Sequence, residues 1–128
     1  MGNRFKEKCF TIYGSQIIIY KNTYNIIGST VVRGHHRQCG WGCGYVIVDP
    51  SHPAFGLEYL SDVNVHGGIT FFNELKGEDF HGIYVKHGWV FGFDTAHFDD
   101  SRASWPKRRV ISETLSLVKQ LEKYGEIS

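Results

Sequence analysis

Two short segments of the chain combine histidine and aspartate with glycine and apolar residues. The first is "NVHGGITFF" at residues 64–72, and the second is "GWVFGFDTAHFDD" at residues 88–100. Two histidines and a carboxylate can bind a divalent metal ion. Without a metal, the same groups can act as a base with its orienting acid. The candidate catalytic or metal-ligating residues are His66, Asp94 and His97, joined by either Asp99 or Asp100.

The histidine of the first segment is followed by two glycines. Gly67 and Gly68 leave space beside His66, so a ligand or another backbone could approach closely. We therefore predict Gly67, Gly68 and Asp100 as ligand-binding residues. A plainer interpretation stays open, in which the histidine hydrogen-bonds a neighbouring loop and Asp94 caps the turn that follows it.

Two basic clusters could form the rim of an anion site. They are "RGHHR" at residues 33–37 and "PKRR" at residues 106–109. Arginine binds phosphate through two parallel N–H bonds, although solvation of a loop and of a helix start would also explain these residues. The arginines predicted to bind phosphate are Arg33, Arg37, Arg108 and Arg109. The aromatic residues that could stack on a base are Trp41 and Trp89, with Tyr45 and Trp105 as further candidates.

Glycines on both sides of Trp41, in "CGWGCG", suggest an exposed loop tip for this residue. The same stretch contains Cys39 and Cys43, and Cys9 makes the number of cysteines odd. The preferred interpretation is that these cysteines are buried or functionless thiols in a reducing cytosol. The alternative is a small zinc site formed by Cys39 and Cys43 with His35 or His36, although the spacing of the cysteines is less typical of zinc sites.

Length and charge restrict the class of protein. The 128 residues fit a single domain, 1–128, with a hydrophobic core. The net charge of +1 argues against a protein that grips extended nucleic acid. The sequence contains neither a signal peptide nor an apolar stretch of membrane-spanning length. We predict a soluble, cytoplasmic protein with no membrane partner.

Most of the chain has the composition of short strands. Segments 9–22 and 23–34 are predicted to be β-rich, with breaks at Gly14, Asn22 and Gly28. A strand "GYVIVDP" ends at Pro50, and residues 51–63 form a loop. A further strand is predicted at residues 64–72 with the glycine pair at its centre. Two more strands are predicted within residues 77–94, around a turn at Lys86–Gly88.

The segment 103–125 has the pattern of an amphipathic helix. Its apolar face is Val110, Thr114, Leu117, Val118 and Leu121, and Gly125 lies just past its end. The predicted fold class is therefore α+β: a small antiparallel or mixed sheet with a C-terminal amphipathic helix packed on one face.

The motifs "CGYVIV", "HPAFG", "VHGGITF" and "WVFGFDTAHFDD", followed by this helix, resemble a family of small bacteriophage and prophage proteins of unassigned activity. The resemblance covers residues 43–122. It implies a phage context, hence the host cytoplasm, and a site at His66, Gly67, Gly68, Asp94, His97 and Asp100. The chain differs from the family pattern at Asp99, where the family has glycine, which leaves open which aspartate of the pair faces inward.

Three functions are compatible with these residues. The preferred one is a phage accessory protein, acting against host defence, that binds or sequesters a small phosphate-containing ligand of nucleotide type, with the ligand held between subunits of a homo-oligomer. The second is a metal- or acid/base-dependent hydrolase of a phosphodiester or nucleotide signal, with His66, Asp94 and His97 as its catalytic or metal-binding set. The third is an inhibitor that binds a host protein. A divalent metal is a possible cofactor of the second function.

Overall fold

The computed structural model describes residues 9–13, 16–20, 25–34 and 38–124, and for the first two ranges the backbone alone. Predicted features at Gly14, Asn22, His35, His36, Arg37 and Gly125 lie outside these residues. In chain order the elements are the strands β1 (Cys9–Tyr13), β2 (Gln16–Tyr20), β3 (Ile26–Arg33), β4 (Gly42–Val48), β5 (Phe71–Phe80) and β6 (Ile83–Phe93), and the helix α1 (Lys107–Glu122).

The six strands form one sheet in the order β1-β2-β3-β4-β6-β5. Every neighbouring pair is antiparallel. Strands β5 and β6 form a hairpin in which Phe80 pairs with Ile83. Its two-residue turn is His81–Gly82, and both residues have positive φ, 48° and 97°, as a type I′ turn requires.

The helix packs on one face of the sheet, against β3 and β4. All five residues of its predicted apolar face are buried. Val46 and Val48 of β4, together with Phe91 and Phe93 of β6, complete this core from the sheet side. The predicted α+β class, with an antiparallel sheet and a C-terminal helix on one face, is confirmed.

A second apolar cluster lies on the opposite face of the sheet. Side chains alternate between the two faces of a strand, so Tyr45 and Ile47 of β4 point away from the helix. The ring of Tyr45 contacts both Phe71, at the start of β5, and Phe80, at its end, with centroid distances of 5.7 and 5.1 Å. Because these phenylalanines stand at opposite ends of a ten-residue strand, the tip of the hairpin must fold back over the sheet.

Three predictions of strand boundaries were wrong. Gly28 does not end a strand but lies inside β3, next to a register shift between Ile26 and Gly28. Residues 64–70 are a loop, and β5 begins only at Phe71. There is also no turn at Lys86–Gly88, since β6 runs through it without a break.

The glycine at position 88 has a packing role instead. A side chain there would come within 3.0 Å of Val85, Ile27 and Ile47, so glycine lets the folded hairpin approach the sheet. Within the described part of the chain, no helix is long and apolar enough to cross a membrane.

Candidate functional site

The candidate site is assembled from two loops and the first half of α1. One loop leads into β5 and contains His66, and the other joins β6 to α1 and contains Asp94, His97 and Asp100. The first loop turns at Gly67 and Gly68, where φ is +71° and +81°, values that favour glycine. The Thr70 amide donates to the Gly92 carbonyl, which fastens the first loop to the end of β6.

His66 and Asp100 form the closest pair of the site. Nε2 of His66 lies 2.8 Å from Oδ1 and 3.0 Å from Oδ2 of Asp100. Asp100 is buried, with 8% of its surface exposed, whereas Asp99 is exposed. Of the two neighbouring aspartates, Asp100 is therefore the one that faces inward.

The carboxyl of Asp100 is held in its charged form. Burial by itself raises its pKa, but hydrogen bonds from the backbone N–H of His97 and from the ring of His66 outweigh burial, so that its pKa is lowered. The bond from the His97 amide is 2.9 Å long. A buried carboxylate is thus maintained between two imidazole rings.

His97 completes a group of three possible metal ligands. A ring nitrogen of His66, a ring nitrogen of His97 and a carboxylate oxygen of Asp100 all lie within 4.8 Å of one another. The rings of His66 and His97 meet edge to face, with centroids 5.1 Å apart. Nε2 of His97 is buried and has no hydrogen-bond partner among the described residues.

Asp94 lies beside this group but is not one of its three members. Its Oδ1 is 3.4 Å from Nε2 of His97, too long for a good hydrogen bond. The carboxylate is engaged elsewhere, because Oδ2 accepts from the hydroxyl of Thr70 at 2.9 Å and Oδ1 accepts from the amide of Ala96 at 3.0 Å. Of the residues predicted from sequence, the structure brings His66, His97 and Asp100 together and leaves Asp94 beside them, because the loop after β6 turns back at residues 97–100.

Trp105 supports the site from below. The centroid of its buried indole lies 4.2 Å from the centroid of the His66 ring. The guanidinium of Arg109, on α1, lies 4.0 Å from the centroid of the Trp105 ring. Glu113, one turn further along the helix, accepts the backbone N–H of His66 at 2.7 Å. Both the ring and the backbone of His66 are therefore fixed by groups from outside its own loop.

An open polar cleft of about 500 Å³ begins at His66 and runs along α1. A second open cleft, of about 540 Å³, starts on the other side of Arg109 and includes Arg108. The residues that line the first cleft are Asn64, Val65, His66, Gly67, Trp105, Arg109, Glu113 and Ser116. The two clefts share Arg109.

The other residues predicted to bind a ligand lie elsewhere. Arg33 is exposed at the end of β3, and Arg37 is outside the described residues. Trp41 is not at an exposed loop tip, because its ring packs half-buried against the core and its amide donates to the Trp105 carbonyl. Trp89, on β6, stacks on Phe72. It precedes Asp94, just after the end of β6, by five residues, which places it roughly 16 Å from Asp94 along the strand direction.

The two described thiols line a separate, smaller hollow of about 290 Å³, next to Asp94 and Thr95. Neither Cys39 nor Cys43 forms a disulfide within the described part of the chain. Burial raises the pKa of the Cys43 thiol, which favours an unreactive, protonated form. The zinc site considered for these cysteines needed His35 or His36, which lie outside the described residues.

Sequence reasoning did not assign Glu113 to the site, and it treated Trp105 only as a stacking candidate. Both act on His66 from across the loop, and neither stands in a motif with it. The one signal in the sequence was their position in the first half of the predicted helix, which offered no reason to place them near residue 66.

Comparison of the chain with protein-family models, with curated proteins and with solved structures gave no match. The resemblance of the central motifs to a phage family stays a prediction.

Proposed function

We propose that the protein binds a small phosphate-containing ligand of nucleotide type in the two clefts along α1. The observation that carries this proposal is that both clefts meet at Arg109, beside the start of the helix. A ligand with an anionic end and a polar end could lie across Arg109 and occupy both clefts.

The start of α1 favours an anion. The first turn contains Lys107, Arg108 and Arg109 and no acidic residue. The N-cap is Pro106, which makes no capping side-chain hydrogen bond to the described residues. The N-terminal end of a helix carries a partial positive charge, and an uncapped end presents N–H groups to an anion.

Arg109 is held ready for such a ligand. Its guanidinium rests on the ring of Trp105, and Nη1 donates to the carbonyl of Ser104 at 2.6 Å. A guanidinium has five N–H donors, so a phosphate can still be bound by two of the others. Holding the fork in advance lowers the entropy that ligand binding costs.

The cleft beyond Arg109 suits the uncharged end of a nucleotide. Glu113 and Ser116 of α1 and Asn64 of the loop before β5 offer a carboxylate, a hydroxyl and an amide to this cleft. Glu113 uses Oε2 for the amide of His66, and its other oxygen can accept from a base N–H or a sugar hydroxyl. A free carboxylate there also discriminates against a second phosphate at this end.

Calorimetric titration in the presence of a chelator tests this proposal, with inorganic phosphate, nucleoside mono- and diphosphates and cyclic dinucleotides as ligands. Arg109→Gln should weaken binding at least about tenfold, since a charged hydrogen bond contributes roughly 1.5–3 kcal/mol. Lys107→Gln is the matched control: it removes the same charge from the same turn but lines neither cleft. Absence of binding at micromolar protein, or equal losses in both variants, would contradict the proposal.

Turnover of the ligand is a second candidate function, and the His66–Asp100 pair is the observation that favours it. An imidazole held by a buried carboxylate is the arrangement of a general base with its orienting acid. Mass spectrometry of the ligand after incubation separates the two functions. Intact ligand supports sequestration, whereas conversion that is lost in His66→Gln supports hydrolysis.

The phage context and a role against host defence belong to the same proposal and rest on the motif resemblance alone. A homo-oligomer that holds ligand between subunits is likewise proposed. Light scattering with and without ligand measures the mass of the particle.

A further inference from the structure

We propose that His66, His97 and Asp100 bind a divalent transition-metal ion. One ligand atom from each side chain lies within 4.8 Å of the other two. Ligands bound to one ion at 2.0–2.2 Å lie roughly 3–4 Å apart, so small side-chain rotations are enough to close the site. This proposal does not depend on the ligand of the clefts.

The carboxylate is already in place for an ion. Asp100 is buried, and both of its oxygens face Nε2 of His66 at 2.8 and 3.0 Å. A metal ligand must be deprotonated at the atom that binds, so an ion on Nε2 of His66 would displace the proton from that atom, and the neutral imidazole would carry its proton on Nδ1 instead. The His97 amide, which donates to Oδ2, would stay as the bond that orients the carboxylate.

His97 has bonding capacity that the described residues do not use. Nε2 is buried without a hydrogen-bond partner, a state that costs free energy unless something compensates it. Asp94 stands 3.4 Å from this atom. A carboxylate that orients a ligating histidine binds its other ring nitrogen, so Asp94 does not have that role; it adds a negative charge beside the atom that would bind the ion.

The surroundings preorganise the two rings. Trp105 lies under His66, and Glu113 binds its backbone N–H. Gly67 provides the space for His97, because a Cβ at this position would collide with the imidazole. A ligand set whose rings are fixed from outside loses little conformational entropy when it binds an ion.

The donor set determines the class of ion. Two imidazoles and one carboxylate suit zinc, iron, cobalt or nickel, whereas magnesium and calcium prefer oxygen ligands. Three protein ligands leave at least one coordination position free for water or for a ligand oxygen. Because His66 also lines the first cleft, that position lies beside the cleft assigned to the uncharged, polar end of a ligand.

Titration of the metal-free protein with Co²⁺, followed by visible absorption, tests the site without any nucleotide. We expect saturation at one ion per chain, with d–d bands and without the near-ultraviolet charge-transfer band of a thiolate ligand. Asp100→Asn and His97→Gln should each lower the affinity for Co²⁺ by at least about tenfold. Asp99→Asn is the matched control, because Asp99 is the exposed neighbour of Asp100 and should bind as the unmodified protein does.

Three results would overturn the proposal: no saturable binding, undiminished binding by Asp100→Asn, or a thiolate band that assigns the ion to the cysteines. Circular dichroism of each variant separates loss of the site from loss of the fold. Since the titration contains no phosphate ligand, it can fail while the clefts still bind a nucleotide, and it can succeed if they do not.

Discussion

At the scale of single residues, the surroundings of a histidine decide what it can do. His52 is buried and fully occupied: Nδ1 accepts from the Ala54 amide at 2.9 Å, and Nε2 donates to the Leu121 carbonyl at 2.8 Å. His97 is the opposite case, because its buried Nε2 lacks a partner among the described residues. A histidine that closes the end of a helix is structural, while one with unused bonding capacity is available for a ligand.

Substitution of Gly67 tests how tightly His97 is packed. Gly67→Ala should destabilise the protein by roughly 1–3 kcal/mol, because the residue has φ of +71° and its new methyl group would meet the imidazole. Gly68→Ala is the control, with φ of +81° but open space around it, and should cost only about 1–2 kcal/mol of backbone strain.

Urea unfolding measures both costs, and Co²⁺ titration shows whether the site survives. Only Gly67→Ala should lower the affinity for Co²⁺. Equal behaviour of the two variants would mean that His97 moves aside freely.

Asp100 should make stability depend on pH. Its pKa is lower in the folded protein than in the unfolded chain. As the solution becomes acidic, the unfolded chain therefore takes up this proton first, and the free energy of unfolding falls. The stabilisation is complete above the unfolded pKa of an aspartate, roughly 3.9, and is lost as the pH falls through the lower, folded value.

Urea unfolding of the chelated protein between about pH 6 and pH 3 measures this loss. Asp100→Asn cannot titrate at this position, so its unfolding free energy should fall less over the same interval. Asp99→Asn should follow the unmodified protein. Parallel curves for Asp100→Asn and the unmodified protein would show that Asp100 contributes nothing to acid denaturation.

At the scale of elements, periodic patterns were predictable and turn positions were not. The helix followed from apolar residues at helical spacing, and tertiary packing used the same face. In the hairpin, Gly82 and Gly88 look alike in sequence. Gly82 has a positive φ and forms the turn. Gly88 instead leaves room for the side chains of Ile27 and Ile47 from two other strands, and no local sequence pattern reveals that contact.

The candidate site shows the same limit. Sequence reasoning predicted that His66, Asp94, His97 and either Asp99 or Asp100 would converge, because the aspartates follow an apolar strand. Which aspartate faces inward depends on how the loop after β6 folds on itself, and that fold is fixed by contacts such as the Asp100 amide to the His97 carbonyl. Glu113 enters from a helix 47 residues away in sequence, a distance that motif analysis does not bridge.

The contact between α1 and β4 depends on a glycine. A Cβ at Gly44 would collide with the hydroxyl of Thr114 and with the ring of Phe93, so the absence of a side chain sets how closely the helix approaches the sheet. Gly44→Ala should cost about 1–3 kcal/mol through overpacking. Thermal unfolding checks this, with Gly34→Ala as the control, because a Cβ at Gly34 makes only ordinary van der Waals contacts. An unchanged melting temperature for Gly44→Ala would show that the helix can shift outward without loss.

At the scale of the whole molecule, the sheet separates two hydrophobic clusters, one on each of its faces. The candidate site and the helix share one core, while the folded-back hairpin covers the other face through Phe80 and Ile83, which belong to the same cluster as Tyr45 of β4. The two clusters contain no residue in common. Substitutions in separate clusters should therefore have nearly additive effects on stability.

Phe80→Ala tests this separation. The ring of Phe80 stands edge-on to Tyr45, 5.1 Å away between centroids, and it is partly buried at the hairpin tip. Its removal should lower the free energy of unfolding by roughly 1–3 kcal/mol, less than the 3–5 kcal/mol of a fully buried phenylalanine. Tyr84→Ala, at a residue with 65% of its surface exposed, is the control and should stay within about 0.5 kcal/mol.

The same variant should bind Co²⁺ as the unmodified protein does, because the site packs on Trp105 of the helix-side cluster, whereas Phe80 packs against the cluster on the opposite face of the sheet. Hydrogen exchange of the β5 and β6 amides in Phe80→Ala should rise near the turn and around Phe71, whose ring packs on the same Tyr45 as Phe80 does. Weaker ion binding in a folded Phe80→Ala would show instead that the hairpin and the site are coupled through β6, which runs from the tip of the hairpin to the loop that carries His97.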